Sequence, residues 1–273
     1  MTSPPLPPLD VADLARRTGW RVVALAEVAS TNDEAARLRD AGATEPTIVV
    51  ADRQRQGRGR GGHAFASPDG GLYASLLVGV RAEYLPAALV AAVSMALAEA
   101  IEEVAAVPVQ VKWPNDLWIE GKKVAGILLE ASVPAAGERD RPVQVIVGVG
   151  VNLREVPEAL EPAVREATSA LDLHARARVD RGALLARFLG RLDDRLAELE
   201  TSPNRKALEG AYRRRLALVG EAIRFFVGTE ERRGVLRDVS LSKGLLVEGP
   251  DGVDRWLPLE HVREVRRASG TPP

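Results

Sequence analysis

The stretch QVKWPNDLWIEGKKVAGILLE, residues 110–130, decides how this chain is read. Apolar runs at Val109 to Trp113 and Val124 to Ser132 are separated by polar turns, and a third run, Val143 to Val151, follows. That alternation predicts hairpins in an antiparallel or mixed sheet. Pro114 forces Trp113 into an extended conformation, so KWPND leaves a strand and turns sharply. The turn presents Asn115 and Asp116 together, although Asn-Asp is also ordinary turn chemistry. The stretch holds Lys112, Lys122 and Lys123, three of only five lysines in a chain with 32 arginines. Arg is a planar fork, whereas Lys is a compact charge on a flexible stem that sits as a point against a carboxylate or phosphate. The local choice of Lys points to chemistry. The plainer alternative is that Lys122 and Lys123 decorate a solvated turn at Glu120-Gly121.

Working outward toward the N-terminus, Leu72 to Val80 reads as a strand and Pro86 opens an Ala-rich buried helix that runs to about Val104. Thr47 to Ala51 is a short strand, and Arg53 to Gly71 is a long polar loop containing GRGRGG at 57–62. Gly57, Gly59 and their neighbours let backbone approach a ligand closely. Arg58 and Arg60 supply fork-shaped donors suited to carboxylate or phosphate. The loop does not match the GxxxxGK[ST] phosphate loop, and an RG-rich RNA-binding stretch is the alternative. Gln54 precedes it. Thr31 to Asp40 reads as a helix with a Thr31–Glu34 capping box and a stop at Ala41-Gly42. Ser30-Thr31-Asn32 at its start is an N-cap or a hydrogen-bonding cluster at a helix N-terminus.

Toward the C-terminus, Asn152 ends the run GVGVN, whose Gly148 and Gly150 mark close approach by backbone or ligand. Helical patterns return at Arg181 to Leu199, with Asp180 as N-cap, and at Arg205 to Leu216. Arg213-Arg214-Arg215 reads as a solvated helix face. After Val219, short alternating runs split by Gly228, Gly244 and Asp251-Gly252 predict a small β-barrel.

The bulk numbers bound the rest. A length of 273 residues suits one large domain or a medium and a small one, and 46% hydrophobic content is ordinary for a globular protein. A formal net charge of −1 gives no global attraction to nucleic acid or anionic membrane. With no cysteine, thiolate catalysis and disulfides are excluded, and His63, His174 and His261 lack metal-ligand spacing. The start, MTSPPLPPLD, lacks the features of a targeting segment, and no apolar run is long enough to span a bilayer, so a cytoplasmic protein without membrane contact is expected. Residues 1–18 are expected to form a flexible tail, too short for a DNA-binding domain.

Taken together and in order, STN at 30–32, RQRQGRGRGG at 53–62, ASP at 66–68, VKWPNDLWIEGKKVAGILLE at 111–130 and VGVGVN at 147–152 resemble the biotin protein ligases. The resemblance covers most of Ser30 to Leu153 and, more loosely, the C-terminal segment. It implies an α+β fold: a catalytic domain over residues 19–218, a mixed sheet flanked by helices as in class II synthetase cores, and an SH3-like barrel over 219–273. It implies a two-step reaction. Biotin and MgATP form biotinyl-5′-AMP and pyrophosphate, then a lysine of a biotin carboxyl carrier domain attacks the mixed anhydride.

The same resemblance carries roles onto residues. Ser30, Thr31, Asn32 and Gln54 would hold the ureido head of biotin, and Gly57, Gly59, Gly126, Leu128 and Gly148 would line its pocket. Arg58 and Arg60 would clamp carboxylate and phosphate. Lys123 would contact both, with Lys112, Phe65, Asn115 and Asn152 on the nucleotide side. Asp116 would sit near Mg²⁺ or the incoming lysine. A monomer or weak homodimer is expected; regulatory members of the family carry an N-terminal DNA-binding domain for which this chain has no room, so no DNA binding is expected. Adenylation brings two anions together, and fixed cations relieve that repulsion as charge develops. One departure stands out: after the second Arg-x-Gly the family continues with a cation and Trp, whereas this chain continues His63-Ala64-Phe65. The rival readings are a lipoate or octanoate ligase of the same fold and an RNA-binding module.

Overall fold

The computed structural model describes residues 6–84, 86–131, 142–258 and 261–268. Ser132, the first five residues of the expected tail and residues 269–273 of the expected barrel lie outside them. The stretch around KWPND folds as three short, sequential strands: β4 (Gln110–Lys112), β5 (Asp116–Ile119) and β6 (Lys122–Ala131). Trp113-Pro114 is a cis peptide. The β5–β6 hairpin closes over Glu120 and Gly121, both at positive φ (50° and 75°), the backbone twist that two-residue hairpin turns require. Lys122 and Lys123 therefore open β6 and are not turn residues.

Four more strands complete a seven-stranded sheet: β1 (Arg21–Val28), β2 (Thr47–Gln54), β3 (Gly71–Val80) and β7 (Val143–Asn152). Their order is β1-β2-β3-β7-β6-β5-β4. β1 and β2 run parallel while the remaining neighbours are antiparallel, so the sheet is mixed as expected. β1 has no counterpart in the sequence reading. β3 is almost wholly buried, because both of its faces are covered.

On one face lies α3 (Ala87–Ala105), whose Ala-rich sequence lets it lie deep in the core, with twelve buried residues. Beyond the short helix α4 (Pro162–Glu166), α5 (Arg181–Leu199) and α6 (Ser202–Arg214) pack against α3. Asp180 caps α5 as expected, its carboxylate accepting from the Ala183 amide at 2.6 Å. On the opposite face lies α2 (Thr31–Asp40), which buries Ala35 and Leu38 against Val49, Leu77 and Ile146. The expected capping box is absent: Glu34 turns outward to Arg37, and the Thr31 hydroxyl bonds to Gln54.

The expected flexible tail to residue 18 needs correction over its last eight residues. Val11–Thr18 form a helix, α1, with Asp10 capping the Asp13 amide at 2.8 Å and Gly19 ending it in the left-handed conformation. Leu14 is buried in the core beside Trp20, and apolar contact of that kind offsets the entropy of ordering a short helix.

Past Leu218 and Gly220, both at positive φ, the chain enters a second sheet. It comprises β8 (Ala222–Val227), β9 (Glu230–Ser240), β10 (Gly244–Glu248), β11 (Asp254–Leu257) and β12 (Val262–Arg267), antiparallel throughout in the order β11-β10-β9-β8-β12. The Arg triplet does more than face solvent. Arg213 pairs with Asp238 of β9, and Arg215 reaches Glu102 of α3 at 2.6 Å. Backbone bonds from Val111 to Arg215 (2.8 Å) and from Ala217 to Val111 (2.8 Å) stitch the connection to β4.

Candidate active site

Two alternate rungs of the large sheet lie at the base of a pocket and give it Leu128, Gly148, Gly126 and Gly150. Ser75, Gly148 and Leu128 face one another across β3, β7 and β6, and Tyr73, Gly150 and Gly126 do so two residues along. The glycines are dictated by contact. A Cβ on Gly148 would lie 2.6 Å from Asn32 Oδ1, and one on Gly150 would lie 2.5 Å from the Phe65 ring. Asn32 comes from α2 and Phe65 from the glycine loop, so the pocket is enclosed by a helix N-terminus on one side and a loop on the other.

At the inner end a chain of buried polar groups is assembled. Thr31 donates to Gln54 Oε1 through its amide (2.8 Å) and its hydroxyl (3.0 Å). Gln54 Nε2 donates to Ser67 Oγ at 2.9 Å, and Ser67 Oγ donates to the Phe65 carbonyl at 2.9 Å. Ser75 Oγ sits 2.7 Å from Thr31 Oγ1 and 2.5 Å from Asn32 Oδ1. This network fixes which amide atom of Gln54 faces which partner. Asn32 Nδ2 is left buried with no partner. An unpaired buried donor costs about 1–3 kcal/mol, which an acceptor on a ligand would recover.

At the outer end the charges gather. Lys123 Nζ lies 2.7 Å from Asp116 Oδ1 and 5.7 Å above the Phe65 ring. Lys112 approaches Asp116 Oδ2 at 3.6 Å and lies over Trp118. Burial lowers the Lys112 pKa, and the Asp116 carboxylate opposes that shift. Arg58 is engaged by Asp33 (2.7 Å) and Glu130 (3.4 Å), and the hydrogen bonds it donates to the Asp33 carboxylate raise its pKa further. Arg60 makes no ion pair among the described residues. Partial burial lowers its pKa, the Arg263 charge lowers it further, and Asp116 opposes. One end of the pocket is thus neutral and hydrogen-bonding and the other cationic, a layout suited to a polar-headed carboxylic acid meeting a phosphate.

The structure brings together Ser30, Thr31, Asn32, Gln54, Arg58, Gly59, Arg60, Phe65, Asn115, Lys123, Gly126, Leu128 and Gly148 around this cavity. Asp116 and Lys112 lie just beyond it through Lys123. Gly57 is a packing residue: a Cβ there would stand 2.4 Å from the Phe65 carbonyl. Asn152 lies outside the lining, its Nδ2 donating to the Ser169 carbonyl at 3.0 Å. Asn115 does two jobs, lining the cavity and anchoring the turn through Nδ2 to the Ile127 carbonyl at 2.7 Å. Sequence reasoning assigns no site role to Ser75 or Ala74, holds Ser67 only within the ASP motif, and marks Gly150 as a close-approach position without assigning it to the pocket. Ser75 carried a signal: it is the single hydroxyl inside the apolar run LYASLLVGV apart from Tyr73, and a buried hydroxyl needs partners.

The cavity measures about 50 Å³. Small-molecule sites typically start at roughly 300 Å³, so the cavity as it stands is smaller than a ligand-sized site. Asp116 was the candidate metal neighbour. It is neutralised by two ammonium groups, and no cluster of three His, Cys, Asp or Glu that could hold an ion occurs among the described residues. The residues present do not fit a protein-built metal site.

Comparison with known proteins places this pocket in a family. The model of the biotin/lipoate A/B protein ligase family matches residues 25–152. The Biotin--[acetyl-CoA-carboxylase] ligase of Mycobacterium tuberculosis is 32% identical, aligned over 85% of this chain and 87% of its own length. That of Paracoccus denitrificans is 34% identical over 84% of this chain and 94% of its length. The Aquifex aeolicus biotin protein ligase solved with biotin and ATP superposes with a TM-score of 0.75 at 28% identity, covering 91% of this chain and 99% of that one. The chain belongs to the biotin protein ligase family.

Proposed function

We propose that this chain is an ATP-dependent biotin–carrier protein ligase, and the observation that carries the reading is the two-ended pocket. In the first step a biotin carboxylate oxygen attacks the α-phosphorus of ATP, and pyrophosphate leaves. In the second an acceptor lysine amine attacks the acyl carbon of biotinyl-5′-AMP, AMP leaves, and the amine gives up a proton. Two anions must meet in the first step. Lys123, Arg60 and, once it exchanges its carboxylate partners for ligand, Arg58 supply the fixed positive charge that offsets their repulsion as charge builds. Nothing here requires a covalent enzyme intermediate, and positioning supplies much of the acceleration. Mg²⁺ would enter on the ATP phosphates, which is how that ion usually binds at nucleotide sites.

The inner end favours biotin over a lipoyl or octanoyl acid. Asn32 Nδ2 offers a buried donor, and Ser30, Thr31 and Gln54 surround it. A ureido group can pair with such groups, whereas a hydrocarbon or dithiolane end would leave them stranded, a difference worth several orders of magnitude in favourable cases. Phe65 stands where its ring can cover the bound acid and shield the anhydride from water. No described helix is long and apolar enough to cross a membrane, and we place the reaction in the cytoplasm, where ATP and carboxylases meet.

Labelling of a carrier domain tests the whole sequence. With biotin and MgATP, mass spectrometry of a biotin carboxyl carrier domain should show one biotin on its acceptor lysine, and none when that lysine is replaced by Arg. An unlabelled wild-type carrier would sink the reading.

A further inference from the structure

β6 pairs with β7 only from Ala125 onward, where Ala125 faces Val151. Lys123, two residues earlier, faces Trp118 of β5 on one side and has no β7 residue on the other. A separate segment fills that side. The Lys123 amide donates to the Ala167 carbonyl at 2.9 Å, and the Ser169 amide donates to the Lys123 carbonyl at 2.8 Å, a parallel bridge between Lys123 and Thr168. Both backbone groups of the lysine are therefore held by residues 167–169.

This strap is itself pinned. Asn152 holds the Ser169 carbonyl at 3.0 Å, and Thr168 Oγ1 donates to the Val164 carbonyl at 2.7 Å. His174 provides the remaining tie. Its Nε2 lies 2.8 Å from Ser169 Oγ, and its Nδ1 lies 3.4 Å from Glu120 Oε2 at the tip of the β5–β6 hairpin. The imidazole closes a loop of contacts from strap to hairpin tip and back along β6 to Lys123. Ser169 is 4% exposed and the His174 side chain 11% exposed, so water cannot readily replace the bond between them.

Serine, histidine and a carboxylate in this order resemble a nucleophile relay. The geometry argues otherwise. Ser169 lines no described cavity and is buried beneath its own strap, while Glu120 is largely exposed. A nucleophile needs a substrate beside it. What the arrangement does is fix two backbone segments relative to each other.

We infer that His174 is a positioning residue for adenylation: it locks the 167–169 strap to the β5–β6 hairpin and thereby aims Lys123 at the reacting carboxylate and phosphate. This rests on the ligase reading above. The lysine's long stem gives its ammonium little intrinsic order, so its placement depends on a fixed backbone and on Asp116. A displacement of about 1 Å at such a group can cost a hundredfold in rate.

The test uses full-length His174→Ala and His174→Gln with two readouts. In biotin-dependent ATP–pyrophosphate exchange, His174→Ala should lower kcat by about tenfold to a hundredfold with KM for biotin within about twofold of wild type. His174→Gln, which can still accept from Ser169, should recover much of that loss. In a Lys123→Ala background the His174→Ala effect should vanish, because both act through one group. Independently of activity, amide hydrogen exchange should show lost protection at Lys123 and Ser169 in His174→Ala. Unchanged protection at those amides overturns the inference, as does a parallel fall of kcat, affinity and melting temperature in both variants. If wild type itself shows no biotin-dependent exchange, the ligase reading fails, and the amide readout still decides whether His174 ties the strap.

Discussion

Lys123 stands where three constraints meet: Asp116 at 2.7 Å, the Phe65 ring beneath it, and a backbone held on both edges. Lys123→Ala removes charge from the point where two anions must approach. It is expected to cut biotin-dependent pyrophosphate exchange by at least a hundredfold, in line with loss of a single preorganised electrostatic contact, while the melting curve stays near wild type. Wild-type exchange by that variant would remove the assigned role. Gly148 tests the other end. A Cβ there would press on Asn32 Oδ1 and dislodge it from Ser75. Gly148→Ala should weaken biotin binding by roughly tenfold or more, the equivalent of about 1–3 kcal/mol for an unmade buried hydrogen bond. Calorimetry would measure it, and unaltered affinity would mean that Asn32 does not order the head group. The glycines at 148 and 150 were legible as sites of close approach, because a strand gains nothing else from them. Their partners, Asn32 and Phe65, were not, since they come from elements far away in sequence.

The elements show where local patterns suffice and where they fail. α3 was legible from its composition and its leading proline. β5 was hidden because Asp116 and Trp118 break the apolar run, their strand pairing supplied by β4 and β6. The Thr31–Glu34 capping pattern misled because tertiary partners, Gln54 and Arg37, compete for both side chains. α1 was read as tail because its helix signal is short, and its order comes from Leu14 meeting the core. One contact in this region has a pH consequence. Asp193 of α5 accepts from the Trp20 indole at 3.2 Å, yet burial raises its pKa, the indole bond only partly opposing. A carboxyl with a raised folded pKa costs stability above that pKa, and the cost disappears as pH falls through it and below the unfolded value. Asp193→Asn keeps an acceptor without the charge. It should raise the melting temperature at pH 7 by on the order of a degree, with the gain shrinking toward pH 4. A gain that grew on acidification would contradict the assignment.

At the scale of the molecule, a net charge of −1 conceals a local gathering of Arg58, Arg60, Lys112 and Lys123 with the carboxylates of Asp33, Asp116 and Glu130. Most described arginines lie in surface ion pairs, which contribute little to stability individually. Arg60, which makes no ion pair among the described residues, and the half-buried Lys112, which shares Asp116 with Lys123, differ from them. That contrast is why the few lysines were an informative signal in an arginine-rich chain. Hairpins in an antiparallel or mixed sheet and a small β unit at the C-terminal end were legible from runs and turns, whereas the α+β plan with a mixed sheet was what the family resemblance implied. The site itself required the fold, because its floor is two rungs drawn from three strands and its roof is a loop whose closure no spacing rule describes.

ATP–pyrophosphate exchange by the wild-type protein with biotin, lipoate or octanoate, each with and without Mg²⁺, tests the central claim most directly. Exchange is expected to require both biotin and Mg²⁺ and to stay near background with the other two acids. Exchange supported by lipoate or octanoate and not by biotin would contradict it, leaving the adenylation chemistry in place and the recognition of the ureido head by Asn32, Thr31 and Gln54 refuted.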